Sequence, residues 1–434
     1  IRDRDYTAAS YNDSLIEIAG EDASMTMESG NISAVRKTPN SNGQYGVGVT
    51  DGGDFTMTGG KIEAEWFAVA GNGNYKTQNS IINITDGELI STADYAVYLP
   101  QSGTTTISGG KVYGAAGGVY IQRGTLNVEG TALITSKGTG STGNWGDGTG
   151  GLDCAAINVS GAYGIATVNI KGGTLIAEAK SLITEGTTYT PVINVTGGTF
   201  SDPSVLKYMA TNATVDIKLL SNINIAKTEL ATGYILNAAN ATANLNLNGH
   251  DIINSSETAD ATPFTKIFTV QNGTLNISGN GNVKCDASAT AKDDGYRMVI
   301  EARGHGTVNI HGGSYYNTQK LNTQIDLIYA RENGKINIYG GTFESGKYGT
   351  PNNDTDGRYW VLNLKNTDKN TASIQVSGGT FINFNPANPN MDDNESYLVT
   401  GYEVTRDGSV YTAAHKVNDG RKEYIVGPTS QENR

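Results

Sequence analysis

The amino-acid sequence predicts an all-β protein that folds as a right-handed parallel β-helix (β-solenoid), and three observations lead to this fold class. A short phrase, in which apolar residues alternate with polar ones up to a Gly-Gly turn, recurs along the 434 residues. It returns at intervals that suit one coil of a solenoid. The composition, with 56 glycines, 9 prolines and only 17% charged residues, is typical of strands joined by tight turns.

The recurring phrase explains why each segment forms a strand. Its apolar residues stand two positions apart, so they share one face of a strand while Asn, Thr or Ser occupies the other. The glycines adopt backbone angles that other residues resist, so the chain turns sharply after the strand. The clearest copies are residues 168–175, 193–200, 308–315, 336–343 and 374–381.

The spacing of the Gly-Gly turns sets the size of a coil. Most of the twelve marked turns lie 21 to 33 residues from the next. Gaps of 42 residues after Gly130 and of 52 residues after Gly197 are interpreted as two coils each, with one unmarked turn. A second apolar strand precedes many of the marked ones, so a coil should contain three short strands. Stacked at ~4.8 Å per coil, they would enclose one apolar core.

The chain is predicted to contain two consecutive solenoid units, residues 1–212 and 213–415, followed by a C-terminal tail at 416–434. A short helical piece at 204–210 is interpreted as a cap between the units. Each unit closes on the form Gly-Gly-Thr-Phe. The first unit shows no matching opening coil, so its beginning is expected upstream of Ile1.

Two stretches carry a resemblance to a known family. The segments 244–252 (Asn-Leu-Asn-Leu-Asn-Gly-His-Asp-Ile) and 269–279 resemble the opening coils of pectin-lyase-like β-helices. The Gly-Gly-Thr-Phe closures resemble a β-helix class of gut-bacterial surface proteins and phage fibres. This resemblance implies an extracellular protein of a phage virion or bacterial cell surface that binds a glycan or host receptor, and such fibres are often homotrimers. The superfold also hosts polysaccharide-cleaving enzymes.

Charge, hydropathy and cysteine content exclude several classes of partner and site. A net charge of −12 argues against nucleic acid and anionic membrane surfaces as partners. No apolar run approaches the ~18 residues of a membrane span, so membrane insertion is not expected. Cys154 and Cys285 have no His or Cys at metal-binding spacing, and we expect two buried, unpaired side chains.

The most enzyme-like string is Gly304-His305-Gly306, with Asp293-Asp294 upstream. Polygalacturonases on this fold use such a string together with paired carboxylates, which protonate the leaving oxygen and activate water. The Asn-Thr-Asp and Arg-x-Lys strings of those enzymes are missing here. The string also occupies the position of Asn272-Gly273 in the neighbouring coil, so we interpret it as a solenoid turn.

Two further motifs match only in part. Residues 352–357 half-match a calcium loop, but Asn352 stands at its first position and Asn363 where a bidentate Glu is needed. Residues 138–143 match G-x-G-x-x-G, yet no helix follows to bind a phosphate. We therefore predict no catalytic residues, no metal site and no cofactor.

Three of the four candidate ligand-binding residues are aromatic. Trp145 and Asp147 lie in the Gly-rich insertion 137–153, and Tyr359 and Trp360 begin a predicted strand. Aromatic rings suit the apolar faces of sugars, and amides of nearby Asn residues suit their hydroxyls. The alternatives are that the insertion packs its Trp on the solenoid and that the 23 tyrosines fill the core and cover coil edges. The predicted function is a non-enzymatic extracellular scaffold or fibre for glycan or host-surface attachment. The alternatives are a polysaccharide lyase or glycoside hydrolase on the same fold, and a purely structural rod.

Overall fold

The computed structural model confirms an all-β parallel β-helix. Its strands form three sheets, here named A, B and C, and nearly all neighbouring strands within them run parallel. The structure describes residues 14–35, 44–73, 78–140, 152–185, 188–225, 233–254, 264–285, 296–317, 325–345, 359–389 and 395–416.

Sheet A belongs to the N-terminal half of the described chain, sheet C to the C-terminal half, and sheet B runs through both. The strands of sheet A are Ser14–Ala19, Tyr45–Thr50, Val69–Ala70, Tyr95–Leu99, Gly117–Ile121, Ala155–Val159 and Lys180–Thr184. The strands of sheet C are Ile223–Asn224, Ile252–Asn254, Asn282–Cys285, Ser314–Asn317, Thr342–Ser345, Thr380–Ile382, Tyr402–Asp407 and Val410–His415.

Sheet B contains twenty strands, two from each coil in most of the chain. They are Ser24–Met27, Asn31–Ala34, Asp54–Ala64, Ser80–Ser91, Gly103–Ile107, Lys111–Gly114, Gly124–Val128, Leu133–Ser136, Ala166–Ile170, Thr174–Ala177, Val192–Val195, Thr199–Phe200, Thr214–Lys218, Tyr234–Asn246, Phe264–Ser278, Tyr296–Ile310, Ile325–Ala330, Lys335–Ile338, Tyr359–Leu364 and Ser373–Val376. Two short 3₁₀ helices, Pro203–Tyr208 and Asn366–Asp368, complete the described elements.

One coil shows how the sequence phrase becomes structure. Tyr95–Leu99 lies in sheet A, and Gly103–Ile107 and Lys111–Gly114 follow in sheet B. The Gly-Gly turn between the last two places Gly110 at φ +71°, where a Cβ would be strained. Each strand pairs in register with its equivalent in the next coil, as Val97 does with Val119. The predicted coil of three strands is confirmed.

The apolar core is continuous through the described coils. In one inward-facing column every residue pairs with the next in register, and none is more than 4% exposed. Burying such a column on folding is the main stabilising contribution of a solenoid. The column consists of Ile32, Ile62, Leu89, Val112, Ile134, Leu175, Phe200, Ile217, Leu245, Ile277, Ile310, Ile338 and Val376.

Asparagine side chains form two rows on the outer face of sheet B. In the C-terminal row each Nδ2 donates to the Oδ1 of the preceding coil over 2.8–3.0 Å, from Asn337 through Asn309, Asn276 and Asn244 to Asp216. The N-terminal row runs in the same way from Asn194 through Asn169 and Asn127 to the hydroxyl of Thr106. The polar positions of the phrase therefore bond to one another from coil to coil.

Within the predicted junction, the Gly-Gly turn moves to a different corner of the coil. In the N-terminal half the strand after the turn forms the column that contains Thr174 and Thr199. In the next coil Thr199 pairs with Asp216, and the same column of paired residues continues through Asn244 to Asn337. Asn337, unlike Thr174 and Thr199, lies in the strand that precedes its Gly-Gly turn. The turn is thus displaced by one strand position while the core stays unbroken. The division into two units remains a prediction.

A short helix follows the last strand of sheet A in the coil stack, where the sequence predicts a helical piece at 204–210. The 3₁₀ helix Pro203–Tyr208 begins at Asp202, whose Oδ1 accepts from the N–H of Ser204 over 2.9 Å, and Ser204 Oγ donates to the carbonyl of Leu182 in the last strand of sheet A. Val205 and Leu206 are buried in the common core. The helix thus covers the end of sheet A.

The interpretation of the 42-residue gap was wrong. Leu133 pairs directly with Thr174, so the gap is a single coil enlarged by the insertion 137–153. The 52-residue gap does hold two coils, because Thr199 pairs with Asp216 and Thr214 pairs with Thr242. A long gap between Gly-Gly turns therefore indicates an additional coil only when the gap also contains an additional apolar strand.

The end of sheet C departs from the parallel pattern. Tyr402–Asp407 and Val410–His415 form an antiparallel hairpin, and the second strand pairs antiparallel with Thr380–Ile382. Residues 417–434, most of the predicted tail, lie outside the described residues.

The structure also places the remaining sequence motifs. His305 pairs with Asn272 and Gly306 with Gly273, so the Gly-His-Gly string occupies the same position as Asn272-Gly273 in the neighbouring coil, as predicted. Both lie within long strands of sheet B, next to a register shift, and not in a separate turn. Cys154 and Cys285 are both buried, and the thiol of Cys285 donates to the carbonyl of Met298 over 3.8 Å. Residues 352–357 and most of 138–143 lie outside the described residues. Within the described part of the chain, no helix is long and apolar enough to span a membrane.

Candidate functional site

The candidate site arises from unequal corners between sheet A and sheet B. Two consecutive coils make this corner in three residues (100–102) and two residues (122–123), whereas the flanking coils use the longer segments 71–79, 160–165 and 185–191. Stacked coils place one corner over the next. The two short corners therefore leave a recess about 10 Å wide, two strand spacings, between longer walls.

This recess, the corner groove, has a volume of about 770 Å³. Backbone and small polar groups of Ser80, Ser102, Gly103 and Gly124 line its floor. Four large apolar or aromatic residues on its walls are unusually exposed: Ile81 (43%), Tyr163 (38%), Ile165 (59%) and Tyr189 (50%). A concave surface with exposed rings and a few polar groups is the usual form of a ligand site.

Hydrogen bonds fix the wall that carries the tyrosines. The N–H of Tyr189 donates to the carbonyl of Gly161 over 2.9 Å, which joins the two long corners above the groove. The N–H of Gly124 donates to the carbonyl of Ile165 over 3.2 Å, which ties that wall to the floor. A Cβ on Gly73 would lie 3.0 Å from Cε2 of Tyr163, so the ring reaches the opposite wall.

Arg123 is the one charged side chain among the thirteen described residues that line the groove. Its Nε donates to Ser102 Oγ over 2.8 Å, and its Nη1 donates to the carbonyl of Tyr163 over 3.1 Å. The side chain crosses Gly164 so closely that a Cβ there would lie 2.8 Å from Cδ of Arg123. A guanidinium has five N–H donors, and the described residues accept from two of them, which leaves three that no described residue occupies.

The groove presents groups that can bind a ligand with both apolar and polar surfaces. Tyrosine rings present apolar faces and a polar hydroxyl, and the floor offers hydroxyls and backbone groups. General acid–base catalysis needs a carboxyl, imidazole or comparable group in reach of the ligand. No Asp, Glu or His belongs to the described lining.

None of the residues predicted from sequence belongs to the described lining of the groove. Trp145 and Asp147 are outside the described residues. Near the end of their insertion, the hydroxyl of Tyr95 donates to the carbonyl of Asp153 over 2.6 Å, and Leu152 packs on a buried aromatic cluster. This cluster, outside the main core, contains Tyr45, Trp66, Phe67, Ala70, Tyr95, Tyr98 and Tyr120.

Tyr359 and Trp360 begin the strand Tyr359–Leu364 in the C-terminal half. Trp360 is half-buried and pairs with Asp326, which is 1% exposed. Their coil is eight strand pairings from that of Arg123, roughly 38 Å along the solenoid. The structure therefore does not bring the predicted pair to the corner groove.

Buried charges stand near Trp360 on the same sheet. Glu301, 1% exposed, accepts from Lys266 Nζ and from Arg331 Nε, the latter over 2.7 Å. Burial alone would raise the pKa of Glu301, but the hydrogen bonds and charges of its two partners outweigh burial and hold the pKa below its ordinary value. Glu301 is therefore ionised at neutral pH and suits an ion pair, not a proton donor.

A second buried acid in this part of sheet B, Asp326, has an amide partner. Asp326 Oδ1 accepts from Nδ2 of Asn363 over 2.8 Å. Among the residues that the structure describes, no three His, Cys, Asp or Glu side chains are grouped to hold a metal ion.

Sequence reasoning missed Arg123, Tyr163 and Tyr189. The available signal was the length of each corner between successive apolar strands: two short corners stand between longer ones, and each longer corner after Arg123 carries a tyrosine. A scan of protein-family models and searches of curated proteins and of solved structures found no match to this chain.

Proposed function

We propose that this protein is a non-enzymatic extracellular scaffold or fibre that attaches to surface glycan through the corner groove. The observation that carries the proposal is the groove itself, with two exposed tyrosine rings and one arginine on a β-solenoid. The sequence resemblance favours a phage virion or a bacterial cell surface as its location.

The groove fits a sugar better than it fits other ligand classes. Its walls carry aromatic rings and its floor carries hydroxyls and backbone groups, as a ligand with apolar C–H faces and many hydroxyls requires. A strongly acidic protein with one cation in its groove is poorly suited to nucleic acid, which needs several phosphate contacts. The site is also held by a packed coil stack, which lowers the entropic cost of binding.

The alternative is an enzyme that cleaves polysaccharide. Hydrolysis needs one carboxyl that donates a proton and a second carboxylate that activates water or attacks. Glu301 is held as an anion by two cations, and the corner groove has no described carboxylate. These observations favour attachment over cleavage.

A glycan array followed by an activity assay tests the proposal. We expect the protein to bind a subset of oligosaccharides, and Tyr189→Ala to weaken binding about tenfold or more, as for a central aromatic contact. Tyr339→Ala is the matched control, because Tyr339 is equally exposed (50%) but lies in the C-terminal half. It should bind like the wild type.

Three results would overturn the proposal. One is the absence of any glycan binding. Another is equal loss of binding in both tyrosine variants. The third is the release of new reducing ends or unsaturated products from bound oligosaccharides, which would establish the enzyme.

A further inference from the structure

We propose that the corner groove selects sugars that carry a carboxylate, with Arg123 as the group that binds it. This inference rests on the proposed function and adds the chemical class of the ligand. It predicts uronic or sialic acid residues in the bound glycan, rather than neutral sugars.

The first argument is the electrostatic isolation of Arg123. The chain has 43 acidic and 31 basic residues, and at least six of its described cations have a carboxylate partner. Arg123 has none among the described residues; its two hydrogen bonds go to a hydroxyl and a carbonyl. The paired cations include Lys61 with Glu63, Lys111 with Glu88, Lys171 with Glu129, and Lys266 and Arg331 with Glu301.

The second argument is the way the guanidinium is positioned. Ser102 and the carbonyl of Tyr163 hold Nε and Nη1, which orients the planar group before any ligand arrives. An oriented guanidinium matches the two oxygens of a carboxylate, and such charged pairs are stronger than neutral hydrogen bonds. The glycine at 164 lets the side chain lie across the groove wall, where a Cβ would collide with it.

The third argument concerns the amount of charge. The described lining contains one cation and no acid, so it matches a ligand group with one negative charge. A carboxylate has one negative charge, whereas a phosphate monoester carries about −1.5 to −2 at neutral pH. The planar fit selects the carboxylate over a sulfate ester, which the experiment separates.

The experiment compares each acidic oligosaccharide with its own methyl ester. Oligogalacturonate and sialyl-oligosaccharides are the acidic probes, their carboxyl-methyl esters the neutral counterparts, and sulfated oligosaccharides a separate arm. We expect the wild type to bind at least one acid about tenfold or more tightly than its ester, and to lose affinity as salt increases. The comparison needs no protein variant, so a folding defect cannot obscure it.

Variants then assign the effect to Arg123. Arg123→Gln should weaken binding of the acid about tenfold and reduce the acid-to-ester ratio to near one, whereas Arg123→Lys should keep part of it because the charge remains but the planar fork is lost. Arg406→Gln removes the same charge from the C-terminal hairpin, where Arg406 Nε donates to the carbonyl of Gly408. That control should bind like the wild type, and circular dichroism should show all three variants folded.

The outcomes separate this inference from the proposed function. Equal binding of acid and ester that Tyr189→Ala abolishes would overturn the acid selectivity and leave the groove as a glycan site. Preference for sulfated over carboxylated probes would do the same. Absence of binding to every probe would overturn both.

Discussion

The buried charges around Glu301 allow a sharp prediction about stability. Glu301→Gln keeps the shape of the side chain but removes the charge that Lys266 and Arg331 share. Breaking a buried ion pair by removing one partner costs about 3–5 kcal/mol. Lys266 and Arg331 are 14% and 23% exposed, and Arg331 keeps Glu332 as a partner, so we expect the lower end, about 3 kcal/mol.

A matched control is Glu88→Gln. Lys111 Nζ lies 2.9 Å from Glu88 Oε1, but these side chains are 64% and 41% exposed. An exposed pair contributes about 1 kcal/mol or less. Urea unfolding followed by far-ultraviolet circular dichroism at pH 7 should therefore give a clearly lower midpoint for Glu301→Gln than for Glu88→Gln.

The pH dependence checks the assignment. The pKa of Glu301 is lower in the folded protein than its ordinary value of 4.5, so the folded state holds fewer protons and gains stability at higher pH. The stability difference between wild type and Glu301→Gln should be complete above about pH 4.5 and disappear as the pH falls through the folded-state pKa. Equal midpoints for both variants at pH 7, or a difference that grows on acidification, would refute the reasoning.

Two further predictions concern packing and turns. Phe343→Leu removes two stacked contacts, because the ring centroid of Phe343 lies 5.1 Å from that of Tyr315 and 5.0 Å from that of Phe381. At about 0.5–1.5 kcal/mol per pair, this variant should lose about 1–3 kcal/mol more stability in thermal unfolding than Phe55→Leu. Equal losses in the two variants would contradict the contribution of stacking. Gly341→Ala puts a Cβ on a residue with φ +100°, 3.0 Å from the carbonyl oxygen of Gly313, so it should lower the free energy of unfolding by about 1–2 kcal/mol or more. Gly140 has open space around it, so Gly140→Ala should change the free energy of unfolding by no more than about 0.5 kcal/mol. Similar unfolding midpoints for these two glycine variants would show that the turn tolerates a side chain.

The coil could be predicted from sequence because its causes are local. Alternation of apolar and polar residues sets the face of each strand, and paired glycines set the turn, so the phrase at 336–343 predicts its own structure. The short helix at Pro203–Tyr208 is also local in origin, and its helical period is visible in the sequence at 204–210. Each depends on a few neighbouring residues.

The corner groove could not be predicted in this way because it depends on differences between coils. Arg123 and Tyr189 are far apart in sequence and meet only when successive corners are superimposed. The displacement of the Gly-Gly turn between Thr199 and Asn337 is hidden for the same reason, since register between coils decides which strands share a column. Trp360 was a candidate because it stands beside Tyr359 in the sequence, but its partner in the neighbouring strand is the buried Asp326.

The two asparagine rows give the solenoid a chemical direction. Every amide in them donates toward the N-terminal coil, so their dipoles are aligned along the axis and strengthen one another. The C-terminal row ends on the carboxylate of Asp216, a stronger acceptor than an amide. Deamidation of Asn276 or Asn309 would replace the donating Nδ2 by a carboxylate oxygen. That oxygen would then face the Oδ1 of the Asn in the preceding coil, and the two acceptors would repel each other. Ageing at one coil would then disturb the coil before it more than the coil after it.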